Sequence, residues 1–226
     1  MIETKNLTRS FKNGDVLTPV LKGIDFTALD GEFIAIMGRS GAGKSTLLYQ
    51  LSLLDEPTGG EIKIDGHNTH TMSEHERMKF RLNKFGYVFQ DYALLPELTA
   101  IENVALPLLM QDKSHKQAYA EAQKALDRVE LGHRLHNLPS QLSGGEQQRV
   151  SISRAVAHKP AVLFADEPTA NLDNESSRGI MEIFKDLHKH GQTIIMVTHE
   201  EEYAKLAGKI VQMDDGKIIS EVKNRG

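Results

Sequence analysis

Apolar positions along the chain are grouped in two ways. Unbroken runs at Phe33-Ile34-Ala35-Ile36-Met37, Ala161-Val162-Leu163-Phe164-Ala165 and Thr193 to Thr198 have the length and the branched or aromatic content of buried strands. Shorter strand-like segments at Ile2–Leu7, Val20–Thr27 and Glu61–Ile64, the last running into Asp65-Gly66, predict a small antiparallel lobe. Near the end, Lys209–Asp214 and Lys217–Val222 are joined by a turn and predict a hairpin-like pair.

Helical patterns lie between these strands, and several carry start signals. Ser73 with Glu76, Thr99 with Glu102, Ser114 with Gln117 and Ser143 with Glu146 have the spacing of capping boxes. In such a box each side chain satisfies a backbone N–H at the other's position. Residues from Asp91 to Ser140 are therefore expected to be mostly helical, with Pro107 kinking or ending its helix. The helix after Ser143 should stop at Lys159-Pro160, and Asn174–His190 should stop at Gly191. Alternating strands and helices predict an α/β fold with a parallel central sheet. An antiparallel β lobe and a helical insert of about residues 91–158 would complete a single domain spanning 1–226.

The first apolar run leads into Gly38-Arg39-Ser40-Gly41-Ala42-Gly43-Lys44-Ser45-Thr46, and a helical pattern begins at Leu47-Leu48. Strand, glycine-rich turn and helix in that order match the G-x-x-x-x-G-K-[ST] phosphate-binding loop. Gly38, Gly41 and Gly43 allow the backbone to curl so that successive N–H groups face one anion, and the helix dipole adds to the same place. Lys44 can reach β- and γ-phosphates, and the Ser45 hydroxyl can hold Mg²⁺. A flexible glycine–serine linker would not sit between a buried strand and a helix.

The second run ends in Asp166-Glu167-Pro168. If its strand is a parallel neighbour of the first, these acids lie beside the glycine turn. Asp166 is then placed to hold Mg²⁺ through its water shell, and Glu167 to polarise an attacking water. In isolation the same tripeptide would be read as a solvated acidic turn. Leu142-Ser143-Gly144-Gly145-Glu146-Gln147-Gln148-Arg149 puts bare backbone over a helix N-terminus and makes a second anion site. Two such helix ends suggest one nucleotide gripped by both.

With these motifs in this order the chain resembles the ATP-binding subunits of ABC transporters over essentially all 226 residues. Leu142 to Arg149 matches the signature of that superfamily, which is more specific than the phosphate loop. Within it, the segments Met37–Leu48 and Thr99–Leu108 look most like the lipoprotein-release and macrolide-export ATPases. The cell-division ATPase that signals through a similar permease is the alternative, notably over Lys159–Leu163.

The resemblance implies roles for further residues. Phe11 matches the aromatic that stacks on adenine, where tyrosine is commoner; such a ring near a terminal strand is otherwise ordinary core. Gln90 matches the glutamine-loop residue, whose amide oxygen suits a direct Mg²⁺ contact and which links nucleotide occupancy to the membrane partner. Asp173, in Asn171-Leu172-Asp173, matches the loop facing the second subunit, and His199 matches the switch histidine near the γ-phosphate. The implied protein is an ATPase whose two copies enclose two ATP molecules. Each ATP would lie between Gly38–Thr46 of one copy and Ser143–Gly145 of the other. The dimer drives an integral-membrane permease from the cytoplasmic face, and the segment Asp91–Leu98 would dock against it, with Tyr92 and some of Leu94, Leu95 and Leu98 as anchors. Those leucines could instead cap the helical lobe's own core.

Composition narrows the alternatives. Lys and Arg number 27 against 31 acids, a net charge of −4, and no basic stripe suggests nucleic acid as a partner. The absence of cysteine excludes disulfides and thiolate metal sites. The histidine pairs His67/His70 and His188/His190 lack the i, i+4 spacing of the strongest histidine metal motif. The N-terminus has no apolar signal core, and Val104–Met110 falls far short of the ~20 residues that span a bilayer, so a soluble chain is expected. The chain stops at Gly226 soon after its last strand pair, so no C-terminal regulatory domain is expected.

Overall fold

A computed structural model describes residues 1–14 and 16–224. In chain order the elements are β1 (Ile2–Asn13), β2 (Val16–Ala28), β3 (Phe33–Gly38), α1 (Lys44–Leu51), β4 (Gly59–Ile64), β5 (His67–Asn68), α2 (Glu74–Lys84), β6 (Phe85–Val88), α3 (Ala100–Met110), α4 (His115–Arg128), α5 (Gly144–Val156), β7 (Val162–Asp166), α6 (Asn174–Lys189), β8 (Thr193–Val197), α7 (Glu201–Ala204), β9 (Lys209–Asp214) and β10 (Lys217–Lys223). The fold is mixed α/β, with parallel and antiparallel strand pairing. The chain divides into two compact units, Met1–Lys79 with Gly191–Gly226, and Phe80–His190.

In the first unit an antiparallel sheet has the order β2-β1-β4-β5. Its inner face comes from alternating residues, with Leu7, Leu21, Ile24, Phe26, Ile62 and Ile64 buried. Strands β1 and β2 extend beyond the predicted segments, because their backbones pair on to Asn13 opposite Val16. Val16 and Leu17 on that arm are exposed, so ladder hydrogen bonds extend the strands where no apolar pattern announces them. The parallel part of the unit sets β3 between β8 and β9, with Ile36 opposite Val197 and Gly38 opposite Met213. Both β3 and β8 are buried on two faces, which explains their unbroken apolar runs. Strand β10 returns antiparallel to β9 through Asp215 and Gly216, both at positive φ, as a tight hairpin turn requires.

In the second unit β6 and β7 pair in parallel, with Val88 opposite Ala165. Helices α3, α4 and α5 share a core that includes Val104, Leu108, Leu126 and Val150, and the small Ala118 and Ala122 bring α4 close. The capping boxes form as the sequence predicts. Backbone N–H groups of Thr99 and Ser143, like that of Ser73 in the first unit, each donate to a Glu carboxylate three residues on at 2.8 Å, and Ser114 donates to Gln117 at 3.2 Å. Helix α6 closes at His190, before Gly191 at φ 89°.

The expectation of a mostly helical stretch from Asp91 to Ser140 holds only for α3, α4 and a short 3₁₀ turn at Pro139–Gln141. Residues 91–99 and 129–138 are not α-helical because their backbone groups have other partners. Buried Asn103 accepts from the Leu95 N–H at 2.8 Å and donates to the carbonyls of Leu95 and Leu98 at 3.1 and 2.9 Å. The carbonyls of Asn137 and Leu135 in turn accept from the first-turn N–H groups of Ala100 and Ile101. Pro107 sits inside α3, where it lacks the N–H that would bond to the Asn103 carbonyl, and the helix ends three residues later at Met110.

Candidate functional site

Strand β3 ends at Gly38 and the chain turns through Arg39–Gly43 into α1. The turn is dense enough to require its glycines. A Cβ on Gly38 would lie 2.3 Å from the Met213 carbonyl oxygen, and Gly43 takes φ 94° against Val20 and Leu21. Buried Lys44 donates from Nζ to the carbonyls of Gly38 and Arg39 at 3.0 and 3.1 Å, so its ammonium spans the loop. The loop is braced from β9–β10 by the Gly216 N–H, which donates to Ala42 at 3.1 Å. The N-cap of α1 is Gly43, which has no side chain to cap the helix. Exposed Arg39, Ser40 and Gly41, with half-buried Ser45 and Thr46, surround this helix end. A curled backbone, an uncapped helix start and a fixed ammonium together suit an oligophosphate.

Two further candidates belong to the same unit. Thr198 follows β8 and donates its N–H to Ile36 at 3.2 Å, so exposed His199 leaves the parallel sheet on the edge where Gly38 leaves it. Phe11 lies on the β1 arm with 44% of its surface exposed. Glu201 and Glu202 occupy the first turn of short α7 and are exposed, a solvated helix start.

The second unit gathers the remaining candidates. Because Val88 faces Ala165 in parallel register, exposed Gln90 leaves β6 on the edge where Asp166 and Glu167 leave β7. Asp166 is 5% exposed, while Glu167 is half-buried and held at φ 44°, a left-handed backbone unusual for glutamate. Such strain persists only where surrounding contacts over-determine it, and it concentrates at working sites. The carbonyl of the following residue, Pro168, accepts from Nε2 of buried Gln148 on α5 at 2.7 Å.

Ser143 is the N-cap of α5, and its hydroxyl accepts from the Glu146 N–H at 3.2 Å. The Ser143 N–H bond to Glu146 holds that carboxyl below its ordinary pKa, with further help from the Ser143 hydroxyl and Arg134 against the opposing effect of burial. Gly144 and Gly145 are bare for a packing reason: a Cβ would lie 2.9 Å from the Tyr92 hydroxyl and 3.0 Å from the Ser176 hydroxyl. Asp173 caps α6 by accepting from Ser176, N–H at 2.9 Å and hydroxyl at 2.8 Å, and those bonds lower its pKa. Around these residues runs a set of contacts with no sequence motif. The Asn171 side chain donates to the Gln90 carbonyl at 3.0 Å, and the Tyr92 hydroxyl reaches the Asn171 carbonyl at 3.5 Å. The predicted docking segment is thus mixed: Leu95 is exposed, Leu94 packs on the helical core, and Tyr92 is tied to Asn171 and Gly144.

Among the described residues no helix is long and apolar enough to cross a membrane. The profile of the ABC transporter family matches residues 21–170. An uncharacterized ABC transporter ATP-binding protein of Methanocaldococcus jannaschii is 49% identical over 97% of this chain and 98% of its own length. The lipoprotein-releasing system ATP-binding protein LolD of Aquifex aeolicus is 47% identical over 90% of this chain and 91% of its length. The macrolide export ATP-binding/permease protein MacB of Marinobacter nauticus is 43% identical over 98% of this chain, which spans only 34% of that longer protein. A solved dimeric ATP-binding cassette in a post-hydrolysis state with ADP and Pi superposes with a TM-score of 0.93 at 40% identity, covering 100% of both chains.

Proposed function

Because the chain belongs to the ABC transporter family, we propose that it is the ATP-hydrolysing subunit of a transporter, driving a permease of the lipoprotein-release or macrolide-export type. The observation that carries this reading is the Gly38–Thr46 turn, where an uncapped helix start and the Lys44 ammonium face one place. In this reading the whole chain works as one ATP-binding domain, with the helical segment of roughly residues 91–158 as its subdomain.

ATP is held by its phosphates on Gly38, Arg39, Ser40, Gly41, Ala42, Gly43, Lys44, Ser45 and Thr46, with Phe11 stacked on the base. Glu167 accepts a proton from the attacking water, and its constrained backbone fixes the direction of that carboxylate. His199 donates to the γ-phosphate region. Lys44 follows the charge that develops on the phosphoryl oxygens. The donor set of Ser45 hydroxyl, Gln90 amide oxygen and Asp166 carboxylate is all-oxygen and fits Mg²⁺. Bound there, the ion would neutralise phosphate charge.

Ser143, Gly144 and Gly145 complete the ATP site of a second copy, and Asp173 lies in the loop that faces it. The dimeric relative with ADP and Pi supports this arrangement. ATP closes the dimer and loss of γ-phosphate opens it, a two-state element that nucleotide biases. The complex would sit at the cytoplasmic face of the membrane through its permease.

The test is Glu167→Gln. Hydrolysis should fall about 10²–10⁴-fold, the usual worth of a general base, with ATP binding retained. Light scattering should then find monomers without nucleotide and dimers with ATP. Unchanged turnover removes Glu167 from the mechanism, and a monomer at saturating ATP refutes the paired site.

A further inference from the structure

Arg9 and Phe11 are two residues apart on β1 and therefore share a face of the strand. The Arg9 guanidinium carbon lies 4.5 Å from the centre of the Phe11 ring, within cation–π range. One guanidinium nitrogen donates to Asp55 Oδ1 at 2.7 Å, and the Glu56 N–H donates to the same oxygen at 2.9 Å. The other oxygen of Asp55 accepts from Nε2 of Gln50 at 2.8 Å. Gln50 is fully buried on α1, the helix that Lys44 begins. An unbroken chain of contacts thus runs from the phosphate-loop helix, through Gln50, Asp55 and Arg9, to the back of an exposed aromatic ring.

The ring stands on an exposed part of the molecule. Phe11 is 44% exposed on a two-stranded arm whose other large apolar residues, Val16 and Leu17, are 65% and 63% exposed. An aromatic there would sample several rotamers, and a ligand would have to select one. A planar guanidinium stacked on one face and fixed by a carboxylate removes that freedom in advance.

We infer that Arg9 is a positioning residue for nucleotide binding: it orients the Phe11 ring to receive a purine base and fixes the ring's distance from the phosphate loop through Asp55 and Gln50. This rests on the reading of Phe11 as the base platform. A merely structural Arg9–Asp55 pair would rigidify the arm without distinguishing ligands that carry a base from those that do not.

The experiment measures binding of Mg-ATP and of base-free inorganic tripolyphosphate to the purified full chain, together with KM and kcat. Arg9→Met should weaken ATP about 3–10-fold, the range for one cation–π contact plus lost pre-organisation, and leave tripolyphosphate affinity unchanged. KM should rise by the same factor with kcat retained. Arg9→Lys should recover part of the loss, and Asp55→Asn should reproduce it. If Arg9→Met fails to fold, Arg9→Lys and Asp55→Asn carry the same comparison. Unaltered ATP affinity in those variants, or equal losses for ATP and tripolyphosphate, overturns the inference. Phe11→Ala separates the two claims. If it leaves ATP binding intact, the base platform itself is wrong; if it weakens ATP while Arg9 variants do not, only the role of Arg9 falls.

Discussion

The guanidinium of Arg154 donates to the carbonyl of Tyr92 at 2.9 Å, sixty-two positions earlier in the chain, and to that of Ala93 at 2.5 Å. Tyr92 and Ala93 both have left-handed backbones, at φ 64° and 47°. Two consecutive side-chain-bearing residues in that region cost of order 1–3 kcal/mol each, so the turn needs an external clamp. Arg154 is that clamp, and it lies on α5, the helix that opens with Gly144-Gly145. The segment after Gln90 and the second candidate anion site therefore share one rigid support.

Replacing Arg154 by Ala should lower the unfolding free energy by about 1.5–3 kcal/mol, the worth of a hydrogen bond to a charged group. Burial already pushes the guanidinium pKa down, so its charge is held by these carbonyls at a desolvation cost. Arg154→Lys should recover only part, because an ammonium cannot fork across two carbonyls. Urea denaturation measures both; wild-type stability in the alanine variant would show that the turn holds itself.

Leu95 offers the cleanest probe of permease docking. Its side chain is 42% exposed, while its backbone is fixed by Asn103. Leu95→Glu should change stability by less than about 0.5 kcal/mol and leave the isolated chain's ATPase rate unaltered. Co-purification with the permease should be lost, since an apolar anchor is replaced by a charge. Intact assembly would end the docking role of this segment.

A third expectation concerns pH. His158 Nε2 lies 3.0 Å from the Phe85 carbonyl, to which it donates, while Nδ1 is buried without a partner among the described residues. Protonation would bury a second N–H with no acceptor. Burial accordingly lowers the pKa below its ordinary 6.5, and Lys113 adds to the shift against the bond to Phe85. Below pH 6.5 the unfolded chain binds this proton first, so stability falls as pH drops from 6.5 towards the lowered folded value. His158→Gln should flatten that part of the profile, which thermal melts between these pH values would record. An unchanged slope would assign the acid sensitivity elsewhere.

Gly38→Ala should distort the proposed nucleotide loop by sterics alone. The new Cβ would lie 2.3 Å from the Met213 carbonyl oxygen, a backbone atom that cannot swing aside. Overpacking of this kind costs about 1–3 kcal/mol, and the displaced turn should lose ATP affinity as well. Calorimetric titration with ATP checks this, and normal affinity would show that β9 can yield.

The sequence by itself determined where the candidate functional turns begin. Capping boxes at Thr99, Ser114 and Ser143 and the glycine-rich turn Gly38–Thr46 ahead of a helix are local devices, complete within a few residues, and the structure forms these turns in place. Buried parallel strands were legible for a similar reason, since burial on both faces leaves an unbroken apolar run. Only the tertiary structure decided that Asn103 would satisfy the backbone of 95–98 in place of a helix, and that Tyr92 would turn its hydroxyl towards Gly144 and Asn171. It also decided that Arg154 would clamp a strained turn, that Glu167 would be held at positive φ and that Arg9 would back the Phe11 ring through Asp55. Partners such as Arg9 and Asp55, or Tyr92 and Arg154, lie tens of residues apart. No periodicity or turn chemistry encodes such a pairing; it exists only once packing has brought the two backbones to a fixed distance.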